Sequence, residues 1–327
     1  MSNRDSQLAD IKSIEQNLLD RKLLTPSIPE AKTTYPPEIE PSLEQTYYWL
    51  SQLARQLKQN NTTEFLIENI QASSLTSPQK WLYQIAVGLI TGLLIALIYG
   101  TTTGLIGASI GGISYGIILG LSPEVYPIYR LKVAWKFAKT QLFNSILEGL
   151  GWGIIYGLID ALICGLIWGN EGIIEGMADS LVWGLIEGLI WGLCISDLNH
   201  PTVSNQGIKE SGINAGIFTI IGGVAWVILY IAVLLLIGEP LEPRDLILDG
   251  IGNGIFFGIY VGGLACLQHF ILRVILKHQG AMPWNYAKFL NYAVELGFLE
   301  REGGRYRFIN DTVQAYFDQM SPEQNKL

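Results

Sequence analysis

Between Glu148 and Gly192 the chain runs EGLGWGIIYGLIDALICGLIWG, breaks at Asn170-Glu171, and continues GIIEGMADSLVWGLIEGLIWG. Glycines stand four apart at Gly149, Gly153, Gly157, Gly165 and Gly169, with Ala161 in the gap. They resume at Gly172, Gly176, Gly184, Gly188 and Gly192, with Ser180 in the vacant place. Residues four apart lie on one ridge of a helix, and glycine along a ridge lets a second backbone come close. Each half has the roughly 20 apolar residues that cross a bilayer as a helix. The two-residue break leaves room only for a tight turn. The stretch therefore predicts a membrane hairpin whose two backbones pack closely, a glycine-zipper arrangement.

Four further apolar runs share that character, near 81–100, 103–121, 213–237 and 250–272, so the sequence predicts about six spans. The last carries its own glycine row at Gly250, Gly254, Gly258 and Gly262. Only 15% of the residues are charged, well under the quarter usual in soluble domains. The net charge of −8 argues against nucleic acid as a partner, because phosphate binding needs a basic face. Basic residues cluster at Lys80, at Arg130, Lys132, Lys136 and Lys139, and at Arg273 and Lys277. Asn170-Glu171 has none, and the loop at 239–249 is mainly acidic. Positive charge favours the cytoplasmic side, so both termini are expected there.

Outside the spans, helical spacing predicts amphipathic helices within residues 1–24 and over Leu43–Gln59, with a proline-bearing linker between. A turn at Asn60 to Thr63 interrupts the second, and Glu64 to Gln71 is expected to resume it. Val125 to Phe143 has an apolar face at Leu131, Ala134, Trp135, Ala138 and Leu142, with lysines largely opposite. That pattern suits a helix in the headgroup plane, or a plain amphipathic connector resting on the bundle. After Gly280 the sequence predicts a helix to Glu295, a hairpin turning at Gly303-Gly304, and a last helix opened by Asp311 with Gln314 as a capping box. The expected fold is thus an all-α membrane protein with a small cytoplasmic helix–β-hairpin–helix cap. Its divisions are a cytoplasmic helical region at 1–78, a membrane region at 79–278 and a winged-helix-like cap at 279–327.

Candidate functional residues are few. Asp160, Glu175, Asp179 and Glu187 stand inside apolar runs, and such carboxylates normally face a cavity or a partner. Counted from the Asn170-Glu171 turn, Asp160 and Asp179 are expected at similar depth, where they would share a proton. The alternative is that they only hydrogen-bond across helices and set register. Helix packing is assigned to Gly149, Gly153, Gly157, Gly165, Gly176, Gly184, Gly188 and Gly192 and to the row in the last span. Cys164, Cys194 and Cys266 are too scattered for a disulfide framework or zinc site, and His200, His269 and His278 have no ligand spacing. No nucleophile–base set, cofactor site or metal site is expected.

Three stretches resemble the C-terminal region of cyanobacterial NACHT-type signalling NTPases, of the wider STAND class. They are YYWLSQLARQLKQNNTTEFLIENIQ (47–71), the GLI/WGLI glycine repeat with NQGIKESGINAGIF (205–218), and GGLACLQHFILR followed by MPWNYAKFLNYAVELGFLEREGGRYRFINDTVQAYF (262–317). The resemblance covers roughly residues 45–320 and is most specific in its last motif. It departs at Asn310, where the family often has histidine, and in the absence of a P-loop, G-x-x-x-x-G-K-[ST]. NTP hydrolysis is therefore not carried over. The resemblance implies a membrane-embedded effector, sensor or anchor of a signalling or defence system. Its expected partners are the lipid bilayer, further copies of itself and an NTPase or other signalling protein on the cytoplasmic side. The alternative is a small cation channel or ion-coupled carrier using the intramembrane carboxylates.

Overall fold

The computed structural model describes residues 35, 38–102, 104–121, 125, 131–133, 139–196, 202–238 and 240–320. In chain order the elements are α1 (Leu43–Gln59), α2 (Ser77–Thr102), α3 (Gly104–Leu121), β1 (Leu131–Val133), α4 (Lys139–Trp168), α5 (Asn170–Leu193), β2 (Cys194–Ser196) and α6 (Gln206–Ile237). They continue with α7 (Pro243–Gly258), a π turn (Ile259–Gly263), α8 (Leu264–His278), α9 (Tyr286–Glu295), β3 (Leu299–Glu302), β4 (Arg305–Phe308) and α10 (Asp311–Gln319). Two compact units emerge. One comprises the described residues of Met1–Thr76, His200–Gln206 and Leu272–Leu327; the other comprises those of Ser77–Asn199 and Gly207–Ile271. The helix expected within 1–24 lies outside the described residues.

The first unit is a small mixed domain. Ser42 caps α1 by accepting the Gln45 amide at 3.2 Å, and the helix buries Trp49, Leu50, Leu53, Ala54 and Leu57. The chain turns at Asn61 (φ 52°) and becomes extended, and Phe65 exchanges two backbone hydrogen bonds with Tyr306, at 2.7 and 2.9 Å. Glu64–Gln71 is thus not a resumed helix but one bridging residue followed by a 3₁₀ turn at Ile67–Asn69. β3 and β4 pair in register around Gly303 (φ 60°), and Phe65 joins the far side of β4. Tyr47, Phe298 and Phe317 meet edge to face at centroid distances of 5.4–5.9 Å. This core therefore takes α1, Phe65, the hairpin and α10 from both sides of the membrane segment in sequence. The helix caps differ from expectation in one respect. Asn310, not Asp311, caps α10, its Oδ1 accepting the Val313 amide at 2.8 Å, while Asp311 occupies the first turn.

The second unit is made of long helices joined in hairpins. Among the described residues four helices are long and apolar enough to cross a membrane: Ser77–Ile98, Gly104–Leu121, Gln206–Leu236 and Pro243–His278. α4 and α5, of 30 and 24 residues, form a further long hairpin. At each of the three turns a glycine takes a left-handed conformation that closes the preceding helix: Gly104 (φ 69°), Gly169 (φ 72°) and Gly238 (φ 82°). Hydroxyls inside the helices bond back to the preceding turn. Thr91, Ser211 and Thr219 donate to Val87, Gly207 and Ala215 carbonyls at 2.7–2.8 Å, so lipid need not solvate them.

Two segments depart from the expected pattern. Leu131–Val133 lies inside the expected amphipathic helix but is a strand, paired antiparallel with Cys194–Ser196. Short extended segments satisfy their backbone groups by pairing with each other, and β-branched Val133 and Ile195 suit that conformation. The rest of that expected helix is described only at Val125 and from Lys139, where α4 begins nine residues ahead of the expected third span. The last span is not one regular helix either. A π turn at Ile259–Gly263 interrupts it, with Gly262 outside helical geometry.

Candidate functional site

The glycine rows lie where the two helices of each hairpin touch. A Cβ at Gly88 or Gly92 would stand 2.6 Å from the carbonyl oxygen of Gly116 or Gly112, closer than a carbon can approach. In the second hairpin a Cβ at Gly149 would lie 2.7 Å from the Gly188 nitrogen, one at Gly153 2.7 Å from the Ser180 oxygen, and one at Gly188 2.7 Å from the Ser145 oxygen. Gly184 faces the Gly153 Cα at 2.9 Å by the same measure. In the third, Gly254 faces the Gly223 Cα at 3.1 Å, Gly258 the Ala215 oxygen at 2.8 Å and Gly262 the Ser211 Cα at 3.1 Å. These contacts are backbone against backbone, so no side chain can move aside. Gly165 and Gly250 differ, because each meets first a side chain, of Ile173 and Val227, and Gly258 meets the Thr219 side chain before the Ala215 oxygen. Gly176 is buried, and the surroundings of Gly157 and Gly192 lie outside the described residues.

The same contacts set the register of α4 against α5. Gly149 faces Gly184–Gly188 and Gly153 faces Ser180–Gly184. Continued along the antiparallel pair, this register puts the backbone at Asp160 level with Glu175. Asp179 is about four residues further on, about 6 Å along the helix. Equal counts from the turn had suggested Asp179 as its neighbour. The side chains of Asp160, Glu175 and Asp179 lie outside the described residues.

Glu187 has a defined partner. The Tyr260 hydroxyl, in the π turn, donates to its Oε1 at 2.7 Å. One turn earlier on α5, the Trp183 indole N–H donates to Asn253 Oδ1 at 2.7 Å, while Asn253 Nδ2 donates to the Asp249 carbonyl at 3.0 Å. The Trp183 ring stacks on Phe257 with centroids 3.8 Å apart and meets the Phe256 ring edge to face at 4.8 Å. Phe256 in turn meets Tyr115 of α3 at 5.0 Å. The buried cluster of Val182, Ile186, Phe218, Trp226, Phe257 and Val261 surrounds these contacts. Sequence reasoning chose Glu187, and Trp183 as a packing aromatic, but not Asn253 or Tyr260. A usable signal existed, since Glu187 and Tyr260 each stand 17 residues past the first residue of α5 and α7. Two helices running the same way would hold them at one depth.

The chemistry available here is hydrogen bonding between helices. A carboxylate and a phenol hydroxyl can hold each other, and an indole and an amide can do the same, where lipid offers neither a partner. Among the described residues no three His, Cys, Asp or Glu side chains gather as a metal site would require. No protein-family model, curated protein or solved structure matches this chain.

Proposed function

We propose that the chain is a non-enzymatic membrane module, an effector, sensor or anchor in a NACHT-like signalling or defence system, with six spans arranged as three hairpins. The observation that carries this reading is the Glu187–Tyr260 hydrogen bond. It occupies one intramembrane carboxylate in a helix-to-helix contact rather than in a string of groups along a pore. The soluble unit supports it as well, because residues before and after the membrane segment build one core to which a cytoplasmic partner can dock. Both termini are then cytoplasmic. Because the described glycine seams face inward within hairpins, self-association falls to the exposed apolar faces, such as Leu93, Leu97 and Leu105 of the first hairpin.

The alternative, a small cation channel or ion-coupled carrier, is favoured by one observation: the register that levels Asp160 with Glu175 inside apolar helices. Flux assays in liposomes separate the two. The module reading expects no cation flux at any potential or pH. Flux lost in Asp160→Asn with Glu175→Gln would replace it with the carrier. Chemical labelling of single cysteines placed at Asn170 and Gly238 tests the six spans, both sites being expected outside; labelling of either from the cytoplasm refutes that arrangement.

A further inference from the structure

Arg273 and Lys277 stand one helical turn apart near the end of α8, in the last turns of a long apolar span. The guanidinium carbon and the ammonium nitrogen each lie 5.3 Å from the centroid of the Trp284 ring. The indole is exposed, and Lys277 is exposed beside it. Arg273 donates through Nη2 to the Trp284 carbonyl, which fixes the tryptophan beside the helix. Its Nε is buried and has no hydrogen-bond partner among the described residues. Among those residues neither cation forms an ion pair.

We infer that these three side chains form a headgroup site for an anionic glycerophospholipid. The end of a membrane helix is where headgroups lie, and tryptophan favours that level because its ring is apolar and its N–H is polar. Two cations without a carboxylate leave a positive charge that a phosphodiester complements. The arginine adds directed N–H donors and the lysine a mobile ammonium. Zwitterionic lipid brings its own cation and gains less. Each cation is worth about a fivefold preference for an anionic surface. The inference rests on the chain being a membrane protein and is independent of any signalling partner.

The test uses the full chain purified in detergent, with lipid binding read by native mass spectrometry. Dioctanoyl phosphatidylglycerol, dioctanoyl phosphatidylcholine and inorganic phosphate are the probes. Phosphatidylglycerol is expected to bind at least about fivefold more tightly than phosphatidylcholine. Lys277→Gln, at an exposed position, should reduce that preference about fivefold. Trp284→Leu should weaken it as well, while Arg244→Gln, at the other end of the same span, should leave it intact. Equal binding of the two lipids, or an unchanged preference in both Lys277→Gln and Trp284→Leu, would overturn the site. So would full displacement of phosphatidylglycerol by an equal concentration of inorganic phosphate, which would make it a phosphate site without lipid character.

Discussion

Gly149 and Gly151 are two residues apart on α4, yet a methyl group added at each should act in opposite directions. At Gly149 the new carbon would meet the Gly188 nitrogen at 2.7 Å and its Cα at 2.8 Å, both backbone atoms. Ordinary carbon contacts begin near 3.5 Å, so the two helices must part by somewhat under 1 Å. A gap of that size forfeits a quarter to a half of the attraction at each neighbouring contact, and overpacking of this kind costs about 1–3 kcal/mol. Alanine returns about 1 kcal/mol through its better helix propensity, leaving a net loss of up to about 2 kcal/mol. At Gly151 nothing lies within 4 Å, so only the propensity gain remains. The two variants should therefore differ by about 1–3 kcal/mol, or roughly 2–12 °C in melting temperature for a unit of this size. Thermal unfolding in a mild detergent, followed by far-ultraviolet circular dichroism, measures it. Identical melting of the two variants would refute close backbone contact in this hairpin.

Tyr260→Phe removes the donor to Glu187 and should lower stability by about 0.6–1.7 kcal/mol. In a double-mutant cycle Glu187→Ala should then add little, and full additivity would show that the pair is not coupled. Asn310→Ala should cost the first unit about 1 kcal/mol in a denaturant titration, against a few tenths for Asp311→Ala, because the cap is Asn310; the reverse order would move it. Tyr286 and Tyr292 both have pKa values raised above the ordinary 10.0, Tyr286 by burial and Tyr292 by burial first and then by its hydrogen bond to Glu40. A raised phenol pKa contributes stability that is complete below pH 10 and is lost as pH rises beyond it, since the unfolded chain sheds those protons first. Alkaline unfolding followed by tyrosine absorbance should begin above that point and move higher in Tyr286→Phe; an unmoved midpoint would exclude this cause.

What could be read along the chain was what local physics decides. Apolar runs of membrane length, the period of Leu43–Gln59 and the Gly303 hairpin each depend on neighbours in sequence, and the structure places helices or strands there. Features that depend on distant partners were out of reach. Nothing near Phe65 announces that it pairs with Tyr306, because the segments are separated by the whole membrane unit. Leu131–Val133 fitted a helical period, yet its backbone found a strand partner at Cys194–Ser196. Asn310 and Asp311 are both good caps, and only the backbone angles, extended at Asn310, decide between them. In the candidate site, the glycines were legible as rows, but which residues they face was not.

Two kinds of contact divide the work of assembling the membrane unit. Within each hairpin the contact is backbone on backbone along glycines, and it needs only closeness. Between hairpins the contacts are directional: Trp183 with Asn253 and Phe257, Glu187 with Tyr260, and Tyr115 with Phe256. Lipid solvates leucine as well as another helix does, so apolar area does not by itself choose one hairpin neighbour over another. Van der Waals seams can therefore form as soon as two consecutive helices lie side by side, whereas polar and aromatic partners select which hairpins meet and at what height. Among the described residues, α5 with α7 and the π turn that follows it carries most of the second kind, the Glu187–Tyr260 hydrogen bond included. Removing Tyr260 or Asn253 should consequently loosen the second hairpin from the third while each hairpin stays closed. Cysteine crosslinking reads the two effects separately. Crosslinks between cysteines placed at non-glycine positions of α4 and α5 should persist in Tyr260→Phe with Asn253→Leu, and those between residues 186 and 257 should weaken. Loss of both together would mean that the hairpins are not independent units.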